Sequence, residues 1–321
     1  AQAYTKLTEY QKASNQYAIL QTADQLTEHD YIEYISVLRI LRQYPFASDL
    51  TAQAFRKFPS NSLIKDWHEH KDVLAKLYTS VTRYQVEETK INSGKGDFAP
   101  SYYKGDIIYA SKSTKKGFLV GTYNWDNSNF INLFKAEVKN GQLEKGKRLK
   151  DAFFSRMHDG PISFDSTYTM AFLTRNDMGS KKGKEFIHLS LYTMVKNGEE
   201  WSEPIPFPYN DPSFNLGHAV MDHDQRGIYF VSDMPGGLGG TDIYYSEFKE
   251  GQWEKPVNLG STINTSRDEM FPFVASDGTL YFASNGHYGL GGLDVFRFNL
   301  GEENAVVENL GSPINSSTDD F

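Results

Sequence analysis

"INTSRDEM" (263–270) returns as "INSSTDDF" (314–321) and, more loosely, as "INSGKGDF" (91–98). In each copy Ile-Asn is followed by small or polar residues, an acid and a large apolar residue. The segments between copies repeat as well: "GIYFVSDMPGGLGGTDIYYSEF" (227–248) matches "TLYFASNGHYGLGGLDVFRF" (279–298). Self-similarity at about 50–60 residues is the mark of a repeat architecture.

From residue 84 onward, short apolar runs alternate with Gly, Asp, Asn and Ser, the pattern of strands joined by tight turns. Each unit has four candidate strands. The best-marked unit reads "FPFVAS" (271–276), "TLYFAS" (279–284), "LDVFRF" (293–298) and "AVVENLG" (305–311). Second strands recur at 106–111, 168–174 and 227–232, and third strands at 131–138, 188–195 and 241–248. Trp201 and Trp253 follow Gly-containing turns at one place in the repeat, which predicts equivalent, substantially buried sites in successive blades. Four strands per repeat is the pattern of a β-propeller blade. "YQVEETKIN" (84–92) aligns with a fourth strand, and Phe321 is the first apolar residue of another unit. The expectation is four full blades and the start of a fifth, with closure outside this sequence.

Residues 1–83 read differently. Tyr4, Leu7, Tyr10, Ala13, Tyr17 and Leu20 fall at intervals of three and four, a helical stripe. Tyr31, Tyr34, Ile35, Leu38 and Leu41 form a second. Asp49 is placed as the cap of the next helix, and Asn61 or Ser62 as that of another. "AYTKLTEYQKASNQYAIL" (3–20) resembles a tetratricopeptide (TPR) repeat, with Thr8 where that family prefers Gly. In this alignment the first helix is short, which implies a fragment of a longer protein. The expected fold is thus α plus all-β: a TPR-like helical domain at 1–83, then a propeller at 84–321, joined without a flexible tether.

Composition narrows the function. The formal net charge is −8 and Cys is absent, which argues against a nucleic-acid scaffold and excludes disulfides, thiolate zinc and a cysteine nucleophile. No apolar run approaches a membrane span. His68 and His70, two residues apart, point to different sides of a helix and do not suggest a metal pair. "DHDQRG" (222–227) imitates the start of a calcium loop, but Arg226 stands where an oxygen ligand belongs. His158, His188, His218, His223 and His287 are scattered, and no Ser sits in a nucleophile-elbow context. No cofactor, metal or catalytic residue is assigned. The glycine loops "PGGLGGTD" (235–242) and "YGLGGLD" (288–294) precede strands rather than helices, so they are not phosphate cradles. Gly236, Gly237, Gly239, Gly240, Gly289, Gly291 and Gly292 are read as turn residues needed for positive φ and close packing, and Asp242 and Asp294 as side chains that bond the turn's backbone N–H groups.

"FVSDMPGGLGGTDIYYSEFKEGQWEKPVNLGSTIN" (230–264) and "DEMFPFVASDGTLYFASNGHYGLGGLDVF" (268–296) resemble the TolB-like propeller of periplasmic OmpA-family proteins of Bacteroidota. Members commonly place TPR-like helices before the propeller, some of them in the type IX secretion system. The resemblance implies a non-enzymatic periplasmic scaffold associated with the outer membrane. Its partners would be PorP/SprF-like or type IX components, and its peptidoglycan tether an OmpA-like domain that these residues do not contain. A glycan- or peptide-binding propeller is the alternative, and a propeller hydrolase the third reading. In a propeller the second-to-third-strand loops share one face with the interblade loops. Met234, Asn285 and His287 are placed there as partner contacts, with Phe118, Tyr123 and Trp125 of the long first-blade connection (112–129).

Overall fold

A computed structural model describes residues 1–79, 84–94, 96–112, 130–150, 153, 155, 157–178 and 187–321. The helical segment comprises α1 (Gln2–Lys6), α2 (Tyr10–Thr22), α3 (Glu28–Ile40), α4 (Tyr44–Lys57), α5 (Ser62–His70) and α6 (Leu74–Thr79). Local chemistry sets their limits. Thr27 and Asp30 form a reciprocal capping box at the start of α3, and Asn61 caps α5 by accepting Ile64 N–H at 2.9 Å; each such cap contributes about 1 kcal/mol. The first three helices end on left-handed residues, Thr8, Asp24 and Arg42, at φ 58°, 55° and 58°. Thr8, at the expected glycine position, thus adopts the conformation a glycine takes without strain. Asp49 is not a cap: α4 begins five residues earlier, because Pro45 in its first turn supplies a preset helical φ. Tyr17, Ile35, Val37, Ala47, Leu50, Ile64 and Trp67 form the shared core of these helices.

The described part of the remainder forms four antiparallel blade sheets and one separate two-stranded hairpin. The first holds β1 (Asp97–Tyr103), β2 (Asp106–Lys112) and β3 (Ile131–Ala136); a small hairpin, β4 (Val138–Lys139) with β5 (Gln142–Leu143), leads to its outer strand β6 (Lys147–Arg148). The second holds β7 (Asp159–Phe164), β8 (Met170–Met178), β9 (Ile187–Asn197), β10 (Glu200–Trp201) and β11 (Ile205–Pro206). The third holds β12 (Leu216–Met221), β13 (Gly227–Ser232), β14 (Asp242–Lys249), β15 (Gln252–Trp253) and β16 (Val257–Asn258). The fourth holds β17 (Glu269–Val274), β18 (Thr279–Ser284), β19 (Asp294–Asn299) and β20 (Glu308–Asn309). Within each sheet the first three strands follow chain order; β10 and β11 both pair with β9, β15 and β16 both pair with β14, and β1, β7, β12 and β17 are successive neighbours. This is a four-blade, propeller-like arrangement. Residues 84–92 belong to none of the described strands.

The repeated phrase is the mortar between blades. Asn210, Asn264 and Asn315 each clamp a third strand through both backbone groups of one residue. Asn264 accepts Ile243 N–H at 2.8 Å and donates to Ile243 C=O at 2.9 Å; Asn315 does the same to Val295, and Asn210 to Leu191. The phrase's acid folds back on the Ser or Thr four residues earlier: Asp97, Asp159, Glu269 and Asp320 accept the N–H of Ser93, Ser155, Thr265 and Ser316. Glycines then let the neighbouring loop approach. A Cβ on Gly239 would lie 2.4 Å from Arg267 O, and one on Gly291 2.4 Å from the Ser317 carbonyl carbon. The contact permits matching bonds: Gly240 N–H to Arg267 O (2.7 Å) and Glu269 N–H to Thr241 O (2.7 Å), then Gly292 N–H to Thr318 O (3.3 Å) and Asp320 N–H to Leu293 O (2.7 Å). Residues 314–321 thus sit on the fourth blade as 263–270 sit on the third.

Trp201 and Trp253 occupy equivalent sites, each pairing with the end of a third strand. Both are half-buried rather than enclosed, because they cover seams. Trp201 packs on Tyr103, Phe153 and Phe164, and Trp253 on Phe172, Phe207 and Phe248.

The helical segment seats on the fourth blade. Trp67, fully buried, donates its indole N–H to Gly286 O at 2.7 Å. Arg39 is 1 % exposed, lies over the rings of Trp67 and Tyr288, and donates to Gly289 O. Arg267 pairs with Glu33 at 3.2 Å and Arg42 donates to Ser317 Oγ at 3.0 Å. Tyr288 and Leu290 are therefore part of the helical core.

Candidate functional site: the central cavity

Every inner strand breaks its ladder at one place, between Phe98 and Ser101, Asp159 and Ile162, Gly217 and Val220, and Met270 and Phe273. Such bulges turn a side chain away from the sheet plane. Three of them hold an L-residue at positive φ: Ala99 (51°), His218 (52°) and Phe271 (50°). In the second blade Gly160 carries the positive φ (110°), and Pro161 takes the corresponding register position. A non-glycine residue there costs on the order of 1 kcal/mol, and the ladder on either side holds it in place.

Ala99, Pro161, His218 and Phe271 all line a cavity of about 640 Å³ that draws its walls from all four blades. That volume lies in the range of ligand pockets. Two of the four positions are large and flat. His218 stacks on Phe271 with centroids 4.2 Å apart and planes at 17°, and Phe271 stacks on Phe321 at 4.5 Å and 13°. Phe98 meets Phe271 and Phe321 edge-on at 6.3 and 6.2 Å. The other two positions, Ala99 and Pro161, are small. Three further aromatics of the lining retain surface: Tyr102 is 67 %, Phe273 46 % and Phe321 49 % exposed.

The two carboxylates of the lining are occupied by hydrogen bonds within the protein, whereas the buried Nδ1 of His218 has no hydrogen-bond partner among the described residues. Asp165 accepts the N–H groups of Thr169 and Met170, each at 2.7 Å, and Asp222 accepts Arg226 N–H and the Tyr245 hydroxyl. His218 N–H bonds Thr174 Oγ1 at 2.8 Å, and burial lowers the imidazole pKa to about 4, so the ring is neutral near pH 7. Glu269, just before the fourth bulge, is 0 % exposed. It accepts from Thr265 N–H, Thr265 Oγ1 and Ser284 Oγ, yet desolvation raises its pKa to about 7. Among the described residues no His, Asp or Glu group is arranged to hold a metal ion.

Of the residues expected at a partner face, Met234 is half-buried and packs against the third-blade core. Asn285 accepts Asp268 N–H at 2.9 Å and donates to its carboxylate, and the His287 ring bonds Ile263 O at 2.8 Å. Phe118, Tyr123 and Trp125 lie outside the described residues. Of the turn glycines, Gly236 has positive φ (94°), whereas Gly237, Gly239, Gly240, Gly289, Gly291 and Gly292 meet close neighbours. Asp242 accepts Leu238 N–H and Asp294 accepts Gly291 N–H. The cavity residues Ala99, Pro161, His218 and Phe271 were not singled out by sequence, since they share a register and not a residue type. The signal is their offset, two residues after the acid of the phrase or its counterpart Leu216.

No family model matches the sequence, and no curated protein matches it. Solved structures similar to the chain include a prolyl endopeptidase (13 % identity, TM-score 0.33, covering 67 % of this chain and 35 % of that one). A puromycin-hydrolysing peptidase of Mycobacterium tuberculosis is matched at 11 % identity and TM-score 0.36, over 72 % and 34 %. A post-proline cleaving enzyme from Rickettsia typhi is matched at 9 % and 0.28, over 69 % and 37 %. The chain spans about a third of each of these proteins. The expectations of a non-enzymatic envelope scaffold, and of a chain that is not an enzyme, are corrected by these matches, all three of which are to peptidases. At such identity and TM-score the matches assign no activity to this chain.

Proposed function

We propose that the propeller receives polypeptide in its central cavity. The observation that carries this reading is the pairing of an apolar, aromatic-edged cavity of about 640 Å³ with walls made of edge strands. Among the described residues, inner strands β1, β7, β12 and β17 each have one side without a sheet partner. An extended peptide bonds to such edges and buries alternate side chains beside them. The two carboxylates that a sugar would use, Asp165 and Asp222, are already engaged in hydrogen bonds within the protein. The resemblance of the blade phrases to TolB-like propellers supports a periplasmic setting, with outer-membrane or periplasmic proteins as the source of the polypeptide.

The test is calorimetric titration with a set of unstructured octapeptides of graded hydrophobicity. Apolar members bind, and replacing Tyr102 and Phe273 together by Ser weakens them about tenfold. Absence of binding by every peptide overturns the reading.

A further inference from the structure

The four bulge positions are equivalent in backbone and unequal in filling. His218 and Phe271 carry flat rings, while Ala99 and Pro161 do not, though all four line the same cavity. The stacked rings follow one another at 4.2 and 4.5 Å with planes within 17° and 13° of parallel. Phe98 stands edge-on to two of them. Stacked and edge-to-face pairs are attractive beyond the area they bury. The small pair leaves space beside this column.

We infer that the cavity is selective for an aromatic side chain of the bound polypeptide, which occupies the space left by Ala99 and Pro161 and adds a ring to the His218–Phe271–Phe321 column. The inference rests on the polypeptide reading and adds its specificity. Neutral His218 suits the role, since a stacked ring then meets no buried charge. A branched aliphatic chain would fill the volume but gain no ring–ring attraction. A charged chain would have to give up its water beside these rings.

The experiment uses peptides of one frame, Gly-Gly-X-Gly-Gly, with X as Trp, Tyr, Phe or Leu. The aromatic members are expected to bind about tenfold more tightly than the Leu member. Their ring protons are expected to shift upfield in the NMR spectrum of the complex, as rings do over other rings. Ala99→Phe, which places at the first blade the residue type that the fourth holds at the same φ, should abolish the preference by filling the space. The upfield shift in the parent protein tests the stack even if that variant folds poorly. Equal affinity for Leu and aromatic members, or aromatic binding without upfield shifts, overturns this inference and leaves the polypeptide reading standing. Failure of all four, with octapeptides also failing, overturns both.

Discussion

The glycine loops of the third and fourth blades, 233–240 and 285–292, are copies with opposite fates. Each ends in Leu-Gly-Gly and is followed by x-Asp, and each lays its last glycines on the phrase that follows. Yet Leu238 is 47 % exposed and Leu290 1 %. The difference comes from the helical segment. Trp67 and Arg39 bond the carbonyls of Gly286 and Gly289, and Tyr288, where the third-blade loop has Gly236, completes an aromatic–guanidinium stack. A repeat therefore specifies how blades join one another, while the first four positions of the loop, which differ between the copies, and the helices decide which copy is covered.

The largest effect should come from removing the cover. Trp67→Ala deletes a fully buried side chain and an interdomain hydrogen bond, at a cost of about 3–5 kcal/mol. Hydrogen exchange should then accelerate at 285–292 and stay unchanged at 233–240. Equal acceleration in both loops would break the contrast.

The shared part of the two loops is tested by Gly239→Ala and Gly291→Ala. Both new methyl groups meet backbone that cannot swing aside. Each is expected to destabilise by about 2–3 kcal/mol in urea unfolding, comparably with overpacking of a core. A large difference between the two would show that the interblade clasp is not one device used twice.

A third test uses pH. Desolvation raises the Asp294 carboxyl to about 7, against the opposing pull of Arg39. Its folded pKa exceeds the unfolded value near 3.9. Its contribution is therefore fully present below about pH 4 and is lost as pH rises through about 7. Glu269, raised to about 7, acts in the same direction between about pH 4.5 and 7. Asp294→Asn and Glu269→Gln should each flatten the fall in the urea midpoint across that window. A parent midpoint that climbs with each unit of pH from 4 to 7, and a variant profile identical to it, would contradict the assignment.

At the small end, Trp253→Ala trims a half-buried ring at a seam and should cost about 1–3 kcal/mol. Leu238→Ala, in the exposed loop, should stay within about 0.5 kcal/mol. A Leu238 effect as large as that of Leu290→Ala would mean that the third-blade loop is covered too.

Much of this architecture is legible in the residues. The period, the four strands per unit and the Asn of the phrase can all be read from 227–321, because strand alternation and turn chemistry are local. Asn61 could be read as a cap for the same reason, whereas Asp49 misled because Pro45 starts the helix earlier. The cavity was not legible. Ala99, Pro161, His218 and Phe271 have nothing in common as residue types, and only the bulge in each inner strand shows that they share a position.

By itself, then, the sequence determined the repeat, its strand content and the places where glycine and asparagine must stand, since these follow from backbone sterics and hydrogen-bond capacity within or beside one unit. Only the tertiary structure decided which glycine loop lies under the helices, which aromatic rings stack across the axis and where space remains. Those outcomes depend on side chains brought together from different blades, at separations such as the 53 residues between His218 and Phe271 that no local pattern encodes.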